Sequence, residues 1–144
     1  MLQKYFGISR IILNECPMNK EKFVIEYDFK KVSPSLLWTF VSTAAGLSEW
    51  FADQVENKEK EYTFYWNKSP QVAQMTASRT GVYVRFHWVE DVNERSFFEM
   101  RIDSSELTGA TVLIVTDFAD PDEKEEAQEL WDNEIERLRR RLGL

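Results

Sequence analysis

The 144-residue sequence predicts an α+β fold, an antiparallel sheet packed by one long closing helix. Residues 82–89 place Val82, Val84, Phe86 and Trp88 on one face of a strand and Tyr83, Arg85, His87 and Val89 on the other. More alternating segments flank that strand, and a helical stretch comes before them. An amphipathic helix over residues 121–142 then closes the chain.

Residues 1–17 have no clear period and are expected to be an N-terminal extension, followed by one domain over residues 18–144. The extension could be an alternative start, an arm packed through Tyr5, Phe6 and residues 11–13, or a dimer contact. Phe23, Ile25, Tyr27 and Phe29 alternate with Val24, Glu26 and Asp28, which predicts the first strand. Ser33 and Pro34 then read as N-cap and first helical position, because serine accepts from orphan N–H groups and proline has no N–H to lose. Leu36, Leu37, Phe40 and Val41 make the apolar stripe of that helix, and Gly46 is its expected left-handed stop. A second short helix over residues 47–51 is expected to bring Trp50 and Phe51 to the core.

Residues 57–61 are polar and read as a turn with a strand on each side, the second carrying Tyr62, Phe64 and Trp66 on one face. Turns over residues 67–70, 80–81 and 91–94 separate strands over 72–79, 82–89 and 97–103, and the β-branched run 111–116 is the last strand. An antiparallel meander results. Asp120 and Pro121 announce the final helix as N-cap and first-turn proline, with Asp122, Glu123, Glu125 and Glu126 at its positive end and Arg137, Arg139, Arg140 and Arg141 at its negative end. Its expected buried stripe is Ala127, Trp131, Ile135, Leu138 and Leu142, and Gly143 stops it.

The composition excludes several classes of function. A chain that is 43% apolar and carries ten Phe, five Trp and five Tyr must bury aromatic surface, so it is globular rather than disordered. Its net charge of −7 opposes phosphate-backbone binding, so no nucleic-acid partner is expected. Cys16 is the sole cysteine, which rules out an intrachain disulfide and cysteine-rich metal sites and fits a reducing cytoplasm. No apolar run approaches the roughly 20 residues of a membrane span.

Ser33-Pro34 with Leu37-Trp38, then Gly46-Leu47-Ser48-Glu49-Trp50-Phe51, resembles the START-like (SRPBCC, helix-grip) superfamily, whose other member folds include the birch-pollen allergen. Leu107-Thr108-Gly109-Ala110 leading into Ile114-Val115-Thr116-Asp117-Phe118-Ala119, and Glu129-Leu130-Trp131-Asp132, are similar to small bacterial START-like domains. Within the superfamily the chain resembles the bacterial homologues of the activator of heat-shock protein 90 ATPase. The resemblance spans residues 20–144. It implies a curved sheet wrapped around the C-terminal helix, two short helices after the first strand, and a space between helix and sheet that can take a ligand.

The candidate lining of that space is Tyr27, Trp38, Trp50, Phe64, Trp66, Met75, Phe86, Trp88, Met100, Ile114, Trp131 and Ile135; the competing expectation is that these groups simply fill it. Tyr27 and the indole N–H groups would supply directional contacts. The expected function is binding of a small hydrophobic or amphipathic molecule, such as a lipid, without cofactor or metal. His87, the single histidine, falls on the outer face with Tyr83 and Arg85, so no catalytic constellation is assigned. Asp117, Asp120, Asp122 and Glu123 are read as helix-capping acids rather than a metal cluster. The alternative is a homodimer or protein-interaction module, chaperone-cofactor-like, using an outer sheet face that carries Tyr65, Tyr83, Val89, Phe97, Leu113 and Val115. Cross-strand ion pairs among Glu26, Asp28, Arg85, Glu99 and Arg101 are expected on that same face.

Overall fold

This computed structural model describes residues 20–144, so the expected N-terminal extension lies outside the described residues. In chain order the strands are β1 (Glu21–Asp28), β2 (Gln54–Lys58), β3 (Glu61–Trp66), β4 (Ser69–Arg79), β5 (Tyr83–Trp88), β6 (Phe98–Ser104) and β7 (Thr111–Ala119). They form one antiparallel sheet in the order β1-β7-β6-β5-β4-β3-β2. Because β1 and β2 are its two edges, α1 (Pro34–Ser42) and α2 (Ala44–Leu47) carry the chain from one edge to the other. Each later strand then lies beside its predecessor until β7 closes on β1. With α3 (Lys124–Arg141) against its inner face, the curved sheet has the helix-grip arrangement.

Ser33 Oγ accepts from Leu36 N at 3.4 Å and Pro34 opens α1, as the capping logic requires. The helix ends earlier than expected. Thr43 is extended, with φ −120° and ψ 151°, and its Oγ1 accepts from Gly46 N at 2.9 Å, so it terminates α1 and caps α2. Gly46 is therefore a residue of α2 and not a left-handed stop. Its role is close approach: a Cβ there would lie 2.1 Å from the Thr39 carbonyl oxygen. The expected helix over 47–51 is the turn that follows α2, yet Trp50 and Phe51 are buried from it.

The face of β7 needs correction. Leu113 and Val115, expected outside, are fully buried, whereas Ile114, expected in the lining, pairs on the outer face with Glu26 of β1 and Arg101 of β6. Residues 112–115 are apolar on both sides of the strand, so alternation sets no direction there; the register opposite Tyr27 and Ile102 does. A register shift between Met75 and Ala77 in β4 leaves Thr76 as an extra residue, a bulge of the kind that bends a strand.

On the outer face Val112 and Ile114 take the places expected for Leu113 and Val115. Glu99 is buried at its centre, held by Arg85 Nη2 at 2.8 Å and Arg101 Nε at 3.4 Å. The Arg85 guanidinium lies 4.0 Å from the Phe97 ring centre, and that of Arg101 lies 4.5 Å from Tyr83. Charge thus covers two of the aromatic groups that would have made a sticky patch.

A single 3-10 turn, Pro121–Glu123, precedes α3. Asp120 occupies the N-cap position of that turn, but its buried carboxylate makes no capping bond, contrary to the expected role. Acids in the first turn of α3 and arginines in the last match the helix macrodipole. Ala127, Trp131, Ile135 and Leu138 face the sheet, and Glu134 is buried among them.

Candidate functional site

The middle of the interior is filled by rings. Phe51 is the hub, with centroids 5.3 Å from Phe64, 5.6 Å from Phe98 and 5.7 Å from both Trp66 and Trp131. Phe86 stacks on Phe98 at 5.0 Å, extending the cluster toward β4. Such edge-to-face and offset contacts are the preferred geometries of aromatic pairs. Of the residues expected to line a ligand space, Trp50, Phe64, Trp66, Phe86, Met100, Trp131 and Ile135 are buried in this core, as is Tyr27. Trp38, Met75 and Trp88 are partly buried and pack against it, while Ile114 lies on the other face.

Most of the polar atoms expected to meet a ligand are already engaged. Tyr27 donates its hydroxyl to Asp132 Oδ1 at 2.7 Å, tying β1 to α3, and burial followed by that bond pushes its pKa above the ordinary tyrosine value. Trp50 Nε1 donates to the Phe40 carbonyl at 2.9 Å and Trp66 Nε1 to the Phe51 carbonyl at 3.1 Å. These groups staple the helical crossover to the sheet.

At one end of the core the packing changes character. A cavity of about 20 Å³ lies there, bordered by Phe51, Trp88, Phe97, Phe98, Phe118 and Trp131. Four polar side chains converge on it: Lys20, Asp91, Ser96 and Asp117. Lys20 Nζ is 2.7 Å from Asp91 Oδ2, and both side chains are almost completely enclosed, at 3% and 2% exposure. Ser96 Oγ donates to the same oxygen at 2.5 Å, and Asn93 N donates to Asp91 Oδ1 at 2.9 Å. The loop of residues 89–97 is therefore folded around the Asp91 carboxylate, which it compensates fully.

Asp117 enters from β7, on the same inward side as Leu113 and Val115. Its Oδ2 accepts from Trp131 Nε1 at 2.8 Å and its Oδ1 from Phe118 N at 2.7 Å. Burial pushes its pKa up to about 6; the bonds from Trp131 and Phe118 and the nearby Lys20 charge pull it down, and Asp91 adds to the rise. Asp117 is thus an inward acid beside the cavity and not a capping residue.

This polar end was missed in the sequence for separate reasons. Lys20 precedes the alternating stretch, Asp91 and Ser96 sit in a segment that signals only a turn, and the doubly apolar β7 hid the direction of Asp117.

Other sites carry less. His87 Nδ1 lies 2.8 Å from the Ser96 carbonyl oxygen, linking β5 to the loop. Among the described residues, no group of three or more His, Cys, Asp or Glu is placed to hold a metal, and no helix is long and apolar enough to cross a membrane. Glu134 is fully buried; among the described residues neither carboxylate oxygen has a hydrogen bond, and Arg137 Nη1 lies at 3.9 Å. Burial raises its pKa to about 7 against the pull of Arg137, and Asp53 adds to the rise.

Similarity to known proteins follows the same architecture. A solution NMR structure of BfR322 from Bacteroides fragilis is 43% identical, covers 88% of this chain and 94% of its own, and superposes with a TM-score of 0.63. The Aha1 dimer from Colwellia psychrerythraea (15% identity, 85% of this chain and 94% of that one, TM-score 0.65) and the AHSA1 protein from Silicibacter pomeroyi (18%, 85% and 98%, 0.60) share the fold. No curated protein matches the chain. The family model for the START-like superfamily domain matches residues 17–144, and the chain belongs to that superfamily.

Proposed function

We propose that the protein binds a small amphipathic molecule at the polar end of its core, with the polar head at Asp117 and the apolar part against Trp88, Phe98 and Trp131. The observation that carries this reading is the convergence of Lys20, Asp91, Ser96 and Asp117 on one cavity in an otherwise aromatic interior. Apolar walls with a few convergent polar groups are the usual makeup of a small-molecule site. The cavity itself has room for little more than one water-sized group, so the apolar part is accommodated by movement of the 89–97 loop or the first turns of α3. Chemistry on the ligand is not part of the proposal: the Asp91 carboxylate that accepts from Ser96 Oγ is also held by Lys20 and Asn93 N.

The protein-interaction reading receives less support, because arginines cover Phe97 and Tyr83. Native mass spectrometry of gently purified protein tests the choice. A reproducible small-molecule adduct, released on unfolding and diminished in Asp117→Asn, is expected. A ligand-free complex with a protein partner, or an adduct indifferent to Asp117→Asn, would overturn the proposal.

A further inference from the structure

The chemistry of the same cavity narrows the ligand class, an inference that rests on the binding reading above. One ammonium faces two carboxylates there, and Asp91 takes that ammonium as its direct partner. Among the described residues Asp117 has two donors, the neutral Trp131 Nε1 and Phe118 N, and each of its oxygens keeps a further lone pair toward them. Among the described residues the site thus carries two carboxylates against one ammonium, in a place where low dielectric magnifies charge. Its lining includes Trp88 and Trp131, and indole rings attract cations. An anionic head would face Asp117 directly, and a neutral head would leave its charge unpaired.

We propose that the site selects a primary amine carried on a short apolar or aromatic tail, with the ligand's ammonium donating to Asp117 and Lys20 remaining on Asp91.

The experiment is a calorimetric titration of the full chain with three compounds of matched tail: 2-phenylethylamine, 2-phenylethanol and phenylacetate. The amine is expected to bind at least tenfold more tightly than the alcohol, with the carboxylate weakest. Asp117→Asn is expected to erase the preference for the amine. Because Lys20 and Asp91 flank Asp117 without neutralising it, and Trp131 and Phe118 are its other neighbours, lowering the pH from 7.5 to 5 should protonate Asp117 and weaken amine binding about tenfold. This pH readout in the wild-type chain stands even if the variant fails to fold. Equal binding of amine and alcohol, or an amine affinity unchanged at pH 5, would overturn the amine assignment while leaving a binding site at this end. No saturable binding of any of the three would overturn both the assignment and the binding reading.

Discussion

Phe51, the hub of the rings, and Asp117, at the polar end, both border the small cavity and are held in opposite ways. The Phe51 ring is fully buried and packs on those of Phe64, Phe98, Trp66 and Trp131. Around Asp117 the neighbours are an indole N–H, a backbone N–H, an ammonium ion-paired to a second carboxylate, and a small cavity. Trp131 belongs to both ends: its ring packs on Phe51 and Phe98 while its N–H holds Asp117. The contrast separates two tasks. Ring packing supplies stability and leaves no volume for a ligand, whereas the charged end gives up some stability through desolvation and retains what recognition needs.

The largest expected effect breaks the aromatic end. Phe51→Ala removes the hub of the ring cluster and should destabilise the fold by about 3–5 kcal/mol, the range for a large aromatic truncated in a close-packed core. Chemical denaturation followed by tryptophan fluorescence measures it. A loss below about 1 kcal/mol would mean that the rings are not mutually supporting and that the two ends differ less than described.

Glu134 sharpens the comparison because it is a buried carboxylate without the donors that Asp117 enjoys. Its folded-state pKa, about 7, lies above its unfolded value of 4.5, so the folded chain binds more protons between those pH values. Stability is therefore greatest below pH 4.5 as far as this group is concerned, falls as pH rises toward 7, and is flat above. Glu134→Gln should remove that fall and stabilise the protein at pH 8 by roughly 2 kcal/mol. Melting temperatures from pH 4 to 8 test this, and the smaller decline owed to Asp117, between its ordinary 3.8 and about 6, should persist in the variant. An unchanged pH profile would show that Glu134 is compensated in solution.

The smallest effect tests whether the polar end is structurally dispensable. Ser96→Ala deletes one donor to Asp91 while Lys20 and Asn93 remain, and should cost about 1.5 kcal/mol, typical of a hydrogen bond to a charged group. A loss as large as that of Phe51→Ala, measured by the same denaturation, would show that the charged end carries the fold as well.

The fold was legible in the sequence wherever one face of an element was apolar and the other polar. Phe23, Ile25 and Tyr27 in β1, Tyr62, Phe64 and Trp66 in β3, and Trp131, Ile135 and Leu138 in α3 all face the way their spacing implies. Legibility failed where that asymmetry was missing. In β7 both faces are apolar, so Ile114 exchanged places with Leu113 and Val115, and the same one-residue ambiguity concealed Asp117. Gly46 failed differently, since glycine serves equally for a left-handed turn and for close backbone contact, and only the position of the Thr39 carbonyl decides between them. The polar site joins residues from the start of β1, the 89–97 loop, β7 and α3, a juxtaposition created by strand order rather than by any local motif.

The central claim is that recognition occurs at the Asp117 end while the aromatic middle stays closed. The most direct measurement is the set of tryptophan indole N–H resonances in a nitrogen-15 correlation spectrum during titration with 2-phenylethylamine. The Trp131 signal, whose N–H bonds Asp117, and the neighbouring Trp88 signal should move saturably, while those of Trp50 and Trp66, bonded to the Phe40 and Phe51 carbonyls, stay in place. Saturable binding that leaves Trp131 unmoved, or that moves Trp50 and Trp66 as far as Trp131, would contradict the account.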